Sequence, residues 1–362
     1  MQRVLSDQAL NRALLARQGL LDRWECQPLE AIERLVGLQT QAPLAPYFGL
    51  FSRLREFGPD QLTELLLARK VVRIALMRST LQLVSARDCL QLRAILASDL
   101  IRLLPRALRD GPDLAAIGQL ARQHLEQRPT SFAELGPVLA ARFPELAAAD
   151  LNRIARSVLA LVQVPPRGVW GRSGTAAHTT AEHWLDARLP EPGKPDELVR
   201  RYLRAFGPAS VADLTAWSGM AGLGAVVRRL QPELACYRSE RGQRLFDVSD
   251  GLLPDPATVP PVRIIAEFDN LLLAHSDRAR IFADEQRARI ITTNGLVSST
   301  FLIDGFVAGT CRLRREPGRA TLSVTPFATL RRAHRRALLA EADRWLAFAT
   351  PDSSRSEIQF VE

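Results

Sequence analysis

The chain has 362 residues, 47% of them hydrophobic, with a mean hydropathy of −0.04, a formal net charge of +9 and a sequence pI near 10.3. That length exceeds one small core and suits two or three modules, and the apolar fraction excludes a disordered chain. All but two of the 48 basic residues are arginine, which reads either as arginine-biased codon usage or as a polyanion-binding surface, since the guanidinium suits phosphate and groove recognition.

Residues 1–18 are polar and amphipathic and lack the apolar core and cleavage site of a signal peptide. No apolar window long enough to cross a membrane occurs, so a cytoplasmic protein with no membrane partner is expected. Cys26, Cys89, Cys236 and Cys311 are far apart, and the only close histidines are His178 and His183. Neither pattern makes a zinc site or a disulfide framework, so no metal and no cofactor are expected. There is no Walker loop, and Gly219, Gly222 and Gly224 do not make the dinucleotide fingerprint.

Along the chain, Leu29 to Leu38 reads as a helix that Pro43 ends. Gln39 and Gln41 then fall near a helix end, where composition alone makes them capping or surface residues. A weak pattern, Pro-x-x-apolar-x-acid-Leu, starts at Pro59, Pro129 and Pro208. Proline suits a first helical turn and an acid there complements the helix dipole, so each copy reads as a helix start. After the first copy, Val71 to Met77 and Leu81 to Val84 are strand-like and joined by Arg78-Ser79-Thr80, a wing-like turn whose donors suit phosphate or are simply exposed. After the second come helices at Phe132 to Arg142 and Ala149 to Val162, ending in Val164 to Trp170.

The third copy is the clearest. A helix over Ala209 to Ser218, a glycine turn at 219–222 and a helix over Leu223 to Leu230 make a helix-turn-helix. Strands at Leu234 to Ser239 and Arg244 to Val248 complete a winged helix. The expected fold is therefore α+β: three tandem winged-helix modules over 1–110, 111–190 and 191–362, C-shaped around a DNA-binding cleft. In the last module, Leu252 to Pro261 reads as a proline-rich linker and Val262 to Ala266 as a strand. Asp304-Gly305 joins strands at Val297 to Ile303 and Phe306 to Leu313 in a hairpin, Ala320 to Thr325 adds a strand, and Leu330 to Phe348 closes as a helix. Arg331, Arg332, Arg335 and Arg336 make a basic stripe there, a solvated face or a DNA contact.

Gln39-Thr40-Gln41 resembles the Gln-apolar-Gln motif of the AlkZ-type DNA glycosylases, with threonine in the middle position. The crosslink-repair relative AlkX carries Gln-x-Asp there, so the double glutamine points to the AlkZ-like branch. Residues 75–84, 201–208, 267–278 and 294–309 also resemble the family, in family order, so the likeness spans essentially the whole chain. Gln82 and Ser79 depart from it, where many relatives have histidine and glycine.

The resemblance implies hydrolysis of the N-glycosidic bond of bulky N7-alkylated guanine in duplex DNA, in self-resistance to a DNA-alkylating natural product and with interstrand crosslinks as further substrates. Gln39 and Gln41 are its implied catalytic pair: each amide oxygen can orient a water and place negative dipole near an oxocarbenium-like sugar. A cationic leaving base needs less help than a normal nucleotide. Lys70 and Lys194 are distant from the motif in sequence, so a monofunctional enzyme that leaves an abasic site is expected. Implied DNA contacts are Arg78, Ser79, Thr80 and Gln82, the polar cluster His275, Asp277 and Arg278 lining the cleft, and the Asp304-Gly305 hairpin entering the minor groove. The expected state is a metal-free monomer. The rival readings are a non-catalytic winged-helix regulator, which would footprint undamaged operator DNA, and a drug-sequestering protein.

Overall fold

The structure, a computed structural model, describes residues 3–316, 319–350 and 355–361. In chain order the first stretch holds β1 (Val4–Leu5), α1 (Asp7–Arg17), α2 (Pro28–Arg34), β2 (Leu38–Gln39), α3 (Ala45–Arg53), α4 (Pro59–Leu67), β3 (Val71–Ala75), β4 (Leu81–Ser85) and α5 (Ala86–Arg102). The second holds α6 (Arg106–Asp110), α7 (Leu114–Gln127), β5 (Thr130–Ser131), α8 (Phe132–Arg142), α9 (Ala148–Val158), β6 (Leu161–Gln163), β7 (Ala177–Thr180) and α10 (Ala181–Leu185). The third holds α11 (Asp196–Phe206), α12 (Val211–Ser218), α13 (Leu223–Leu230), β8 (Leu234–Ser239), β9 (Arg244–Val248), β10 (Arg263–Ile265), α14 (Asn270–Leu273), α15 (Arg287–Ile290), β11 (Ser299–Ile303), β12 (Phe306–Glu316), β13 (Arg319–Pro326), α16 (Arg332–Ala349) and β14 (Arg355–Phe360). The fold is mixed α+β. No helix among the described residues is long and apolar enough to cross a membrane.

Local chemistry explains the third stretch. Ser210 caps α12 and Asp213 closes the capping box back onto it. Gly219 ends that helix in the left-handed region, which glycine enters freely. The two helices and the β8–β9 hairpin lie within a residue or two of their expected positions.

The other two stretches differ from expectation. Pro59 does start α4, but α4 runs straight into β3 and is the last helix before its hairpin. Pro129 and Pro208 instead precede the N-caps Ser131 and Ser210 and head the first helix of their pairs. The three copies are therefore not equivalent, because only Glu134 and Asp213 close a capping box on serine. The helix expected over Ala149 to Val162 stops at Val158, since Leu161 onward pairs with β7 and β3 as β6. Residues 164–170 form no strand among the described residues; they are a loop leading toward β7.

Strand pairing crosses the expected boundaries. One six-stranded sheet runs β2-β4-β3-β6-β7-β5, so the first two hairpins share a sheet through β3 and β6. One row of its register reads Leu38, Leu83, Arg73, Gln163, His178, Thr130. The next row reads Gln39, Gln82, Ile74, Val162, Thr179 and faces the other way, because side chains alternate along strands. A second sheet, β1-β8-β9, carries the N-terminus onto the third stretch, and the buried pair Arg17–Asp247 (2.7 Å) seals it there. Leu5, Ala9 and Leu10 thus cluster with Leu245 of the third stretch, whereas Leu14 and Leu15 join the core that Val36, Val72 and Ile74 share. The third sheet, β10-β11-β12-β13-β14, packs on α16 and on Phe48 and Phe51 of α3.

Candidate functional site

The Gln39-Thr40-Gln41 segment sits on a strand end. The helix expected to Leu38 stops earlier, because Val36 (φ 54) and Gly37 (φ 94) are left-handed and turn the chain out of α2. A Cβ on Gly37 would lie 2.7 Å from Val84, so glycine is required there. The backbone then pairs with β4: Leu38 opposite Leu83, Gln39 opposite Gln82, and Thr40 N donating to Leu81 O at 2.9 Å.

Gln39 is 5% exposed and Gln41 is exposed in the following turn. The nearby side-chain hydrogen bonds are made by Thr40 and Gln82, and none by the Gln39 amide among the described residues. Gln82 shares the Gln39 row; its Nε2 donates to Thr80 Oγ1 at 2.8 Å, and its buried Oε1 has no partner among the described residues. Thr80 in turn donates to Met77 O. Two amides and a hydroxyl therefore adjoin at this sheet end.

Two devices hold the segment from behind. Asn270 Nδ2 donates to Gly37 O at 2.8 Å, and the adjacent Asp269 binds Arg53 of α3 through two bonds of 2.7 Å. On the opposite sheet face, Arg73 donates from Nε to Thr40 Oγ1 (3.2 Å) and from Nη2 to Thr40 O (3.0 Å). Burial, reinforced by Arg167, pushes the Arg73 pKa down to about 10.

A loop and a hairpin extend this region. Tyr47 Oη donates to Gly168 O (3.0 Å) and accepts from Trp170 N (3.1 Å), tying the 164–170 loop to α3. Arg315 of β12 lies 5.7 Å over the Trp170 ring, within cation–π range. The β12 strand exposes Arg312, Arg314 and Arg315; Arg314 pairs with Glu316, whereas Arg312 and Arg315 have no carboxylate partner among the described residues.

The other expected contacts fall in several places. Arg78 is not at a free hairpin tip. Its Nη1 donates to Ala216 O and Trp217 O (2.9 Å each) at the end of α12, and a Cβ on Gly219 would lie 3.3 Å from its backbone. Ser79 Oγ accepts from Arg156 Nη2 at 3.3 Å. Burial lowers the pKa of Arg78, Arg156 and Arg278, and Arg287 and Arg78 lower Arg278 further. These arginines thus gather cationic charge around the β3–β4 turn.

Two expectations fail on burial. His275 is 2% exposed and sits in the core, with Nε2 3.1 Å from Phe206 O and beside Arg280; burial holds its pKa down at about 3, so the ring is neutral and lines no cleft. The Asp304-Gly305 tip is docked on α1: Asn11 Nδ2 donates to Gly305 O (2.8 Å) and Arg12 Nη1 to Asp304 O (2.9 Å). Gly305 is buried there and cannot enter a groove. The Asp304 carboxylate faces His334 at 3.8 Å, and Asp277 pairs with Arg241 at 3.3 Å.

Arg73, Trp170, Arg312 and Arg315 were missed in the sequence. The available signals were a lone arginine in the apolar run Val71–Ala75 and arginines clustered at 312, 314 and 315. Among the described residues, no three His, Cys, Asp or Glu side chains group as metal ligands.

A family model described as DNA glycosylase AlkZ-like matches residues 32–348. Among solved structures, Streptomyces sahachiroi DNA glycosylase AlkZ superposes with a TM-score of 0.83, covering 99% of this chain and 100% of that chain at 21% sequence identity. No curated protein matches the sequence significantly.

Proposed function

The chain belongs to the AlkZ-like DNA glycosylase family, and from that membership we propose that it hydrolyses the N-glycosidic bond of bulky N7-alkylated guanine in duplex DNA. The observation that carries the proposal is the Gln39 amide, recessed at a strand end with no side-chain hydrogen-bond partner among the described residues and flanked by the exposed Gln41. Alkylation at N7 makes the purine a cationic leaving group, so the sugar needs a water and negative dipole density more than a strong acid or base. Gln39 and Gln41 supply both: their amide oxygens accept from the attacking water and face the developing oxocarbenium ion. Gln82, fixed by Thr80, lies in the same register row and completes a wall of amides.

The wider reading concerns the fold and the DNA. In each stretch a short strand or bridge, two helices and a hairpin follow one another. These are β2, α3, α4 and β3–β4; then β5, α8, α9 and β6–β7; then the Ala209–Phe246 bridge, α12, α13 and β8–β9. That order supports three tandem winged-helix modules around a DNA-binding cleft, with divisions near 110 and 190. Arg78, Ser79 and Thr80 remain the proposed phosphate contacts of the β3–β4 turn, Arg278 of the cleft beside it, and Arg312 and Arg315 of the β12–β13 hairpin join them. The two lysines are exposed and outside the site as built, which favours a monofunctional enzyme that releases the base and leaves an abasic site. The reading extends to a monomer that unhooks interstrand crosslinks in self-resistance to a DNA-alkylating natural product; its support is the sequence resemblance.

The test is release of modified base from a duplex alkylated at guanine N7 by a nitrogen mustard. Wild-type protein releases it without a covalent adduct trapped by borohydride, and Gln39→Ala and Gln41→Ala lose about 10²-fold or more in single-turnover rate. No release, or undiminished release by both variants, overturns the proposal.

A further inference from the structure

Arg73 stands out among the buried polar groups. It is 1% exposed, in the middle of a central strand. No carboxylate faces it among the described residues; the charged or titratable groups coupled to it are Arg167, Tyr47 and His178, the last in its own register row. Its Nη1 has no hydrogen-bond partner there. Burying an uncompensated guanidinium is costly, and an apolar residue would serve stability better. The fold nevertheless makes room for it. Gly168 (φ +88) lies so close that a Cβ would fall 2.7 Å from Nη1, and Tyr47 fixes the Gly168 carbonyl.

The partners that Arg73 does have belong to one residue. Both the hydroxyl and the carbonyl of Thr40, between the two glutamines, accept its hydrogen bonds. Strand alternation puts Arg73 and Gln39 on opposite faces of the sheet, so Arg73 cannot meet the reacting sugar. We propose that Arg73 is a positioning residue, gripping Thr40 from the reverse face so that the Gln39–Gln41 segment keeps one conformation. This rests on the glycosylase reading of those glutamines. A fork bound to one residue at two points fixes both its place and its peptide orientation, which a single bond would leave free to pivot. The amide oxygens then need no rearrangement when charge develops on the sugar.

The experiment compares Thr40→Val, Arg73→Lys, Arg73→Met and the Thr40→Val/Arg73→Met double variant in the full chain. The readouts are single-turnover base release from a mustard-alkylated duplex, duplex affinity at two salt concentrations, thermal unfolding, and hydrogen exchange of residues 38–42. We expect a rate loss of about tenfold for Thr40→Val and about a hundredfold for Arg73→Met, the range for a hydrogen bond to a charged group. Arg73→Lys should recover part of the loss, and the double variant should be no slower than Arg73→Met. Affinity should stay within about twofold, and exchange at 40–41 should quicken.

Unchanged rate and exchange in folded Thr40→Val and Arg73→Met would overturn the proposal. So would a loss that appears in affinity and salt dependence, which would make Arg73 a phosphate contact. If Arg73→Met fails to fold, Thr40→Val and Arg73→Lys decide. If wild-type protein releases no base, the glycosylase reading falls, and the exchange data alone decide whether Arg73 holds the segment.

Discussion

Arg53 and Asp269, 216 positions apart, form a two-point ion pair with both bonds at 2.7 Å and both side chains essentially inaccessible to water. The pair clamps α3 to the turn before α14, and Asn270, the next residue, anchors Gly37 behind the glutamine segment. Asp269→Asn should leave the guanidinium buried without its counter-charge. A loss of about 3–5 kcal/mol is expected in urea unfolding. Base release should fall as well, because the Gly37 anchor loosens.

Gly168→Ala should harm the enzyme through Arg73. A left-handed φ of +88 already disfavours alanine, and the new Cβ would sit 2.7 Å from Nη1 and 2.9 Å from Cδ of a side chain with no space to retreat. Reduced thermal stability together with slower single-turnover release is the expected outcome. Normal activity in a folded Gly168→Ala protein would show that the guanidinium can move without consequence.

The β12–β13 hairpin should account for part of the salt dependence of DNA binding. Each phosphate contact contributes about 0.9 to the slope of log affinity against log salt. Arg312→Ala and Arg315→Ala should each weaken damaged and undamaged duplex alike and flatten that slope by about one. Fluorescence anisotropy over a range of salt concentrations measures it, and a parallel line in either variant would remove that arginine from the interface.

Acid should destabilise the fold through buried neutral histidines. Burial, then Arg156, hold the His178 pKa down at about 4, and Phe132 stacks on its ring with centroids 4.1 Å apart. The unfolded chain takes up the proton near pH 6.5 while the folded protein does not, so stability present above that pH is lost as pH falls toward about 4. His275, held lower still, acts in the same direction. Urea unfolding at pH 7.5 and pH 5 should show the loss, and His178→Gln should reduce its slope. An identical slope in that variant would assign the acid sensitivity elsewhere.

Much of the architecture could be read from short-range signals. The serine cap and Asp213 box of α12, the Gly219 stop, and the alternating strands around 304–305 each depend on contacts within a few residues. The glutamine segment was legible as a motif, but its setting was not. The Val36–Gly37 reversal and the pairing of Gln39 with Gln82 replace an expected helix end with a strand end. Local periodicity cannot register a partner more than forty positions away.

The hairpin at Asp304-Gly305 shows the same division. Its turn chemistry identified the turn, and nothing local could reveal that Asn11 and Arg12 bury it. His275 read as polar and turned out to be core, since burial is a property of the packed chain and not of the residue.

By itself, then, the sequence determined a basic α+β chain, the helix-turn-helix, hairpins and closing helix of its third stretch, and two glutamines set one residue apart. Those follow from composition, capping, turn chemistry and spacing, which act along the chain. Only the tertiary structure decided that two hairpins merge into one sheet, that Gln39 and Gln82 share a face, and that Arg73 grips Thr40 from the other. These are consequences of strand register and burial, and register forms only when segments far apart in sequence pair and exclude water together.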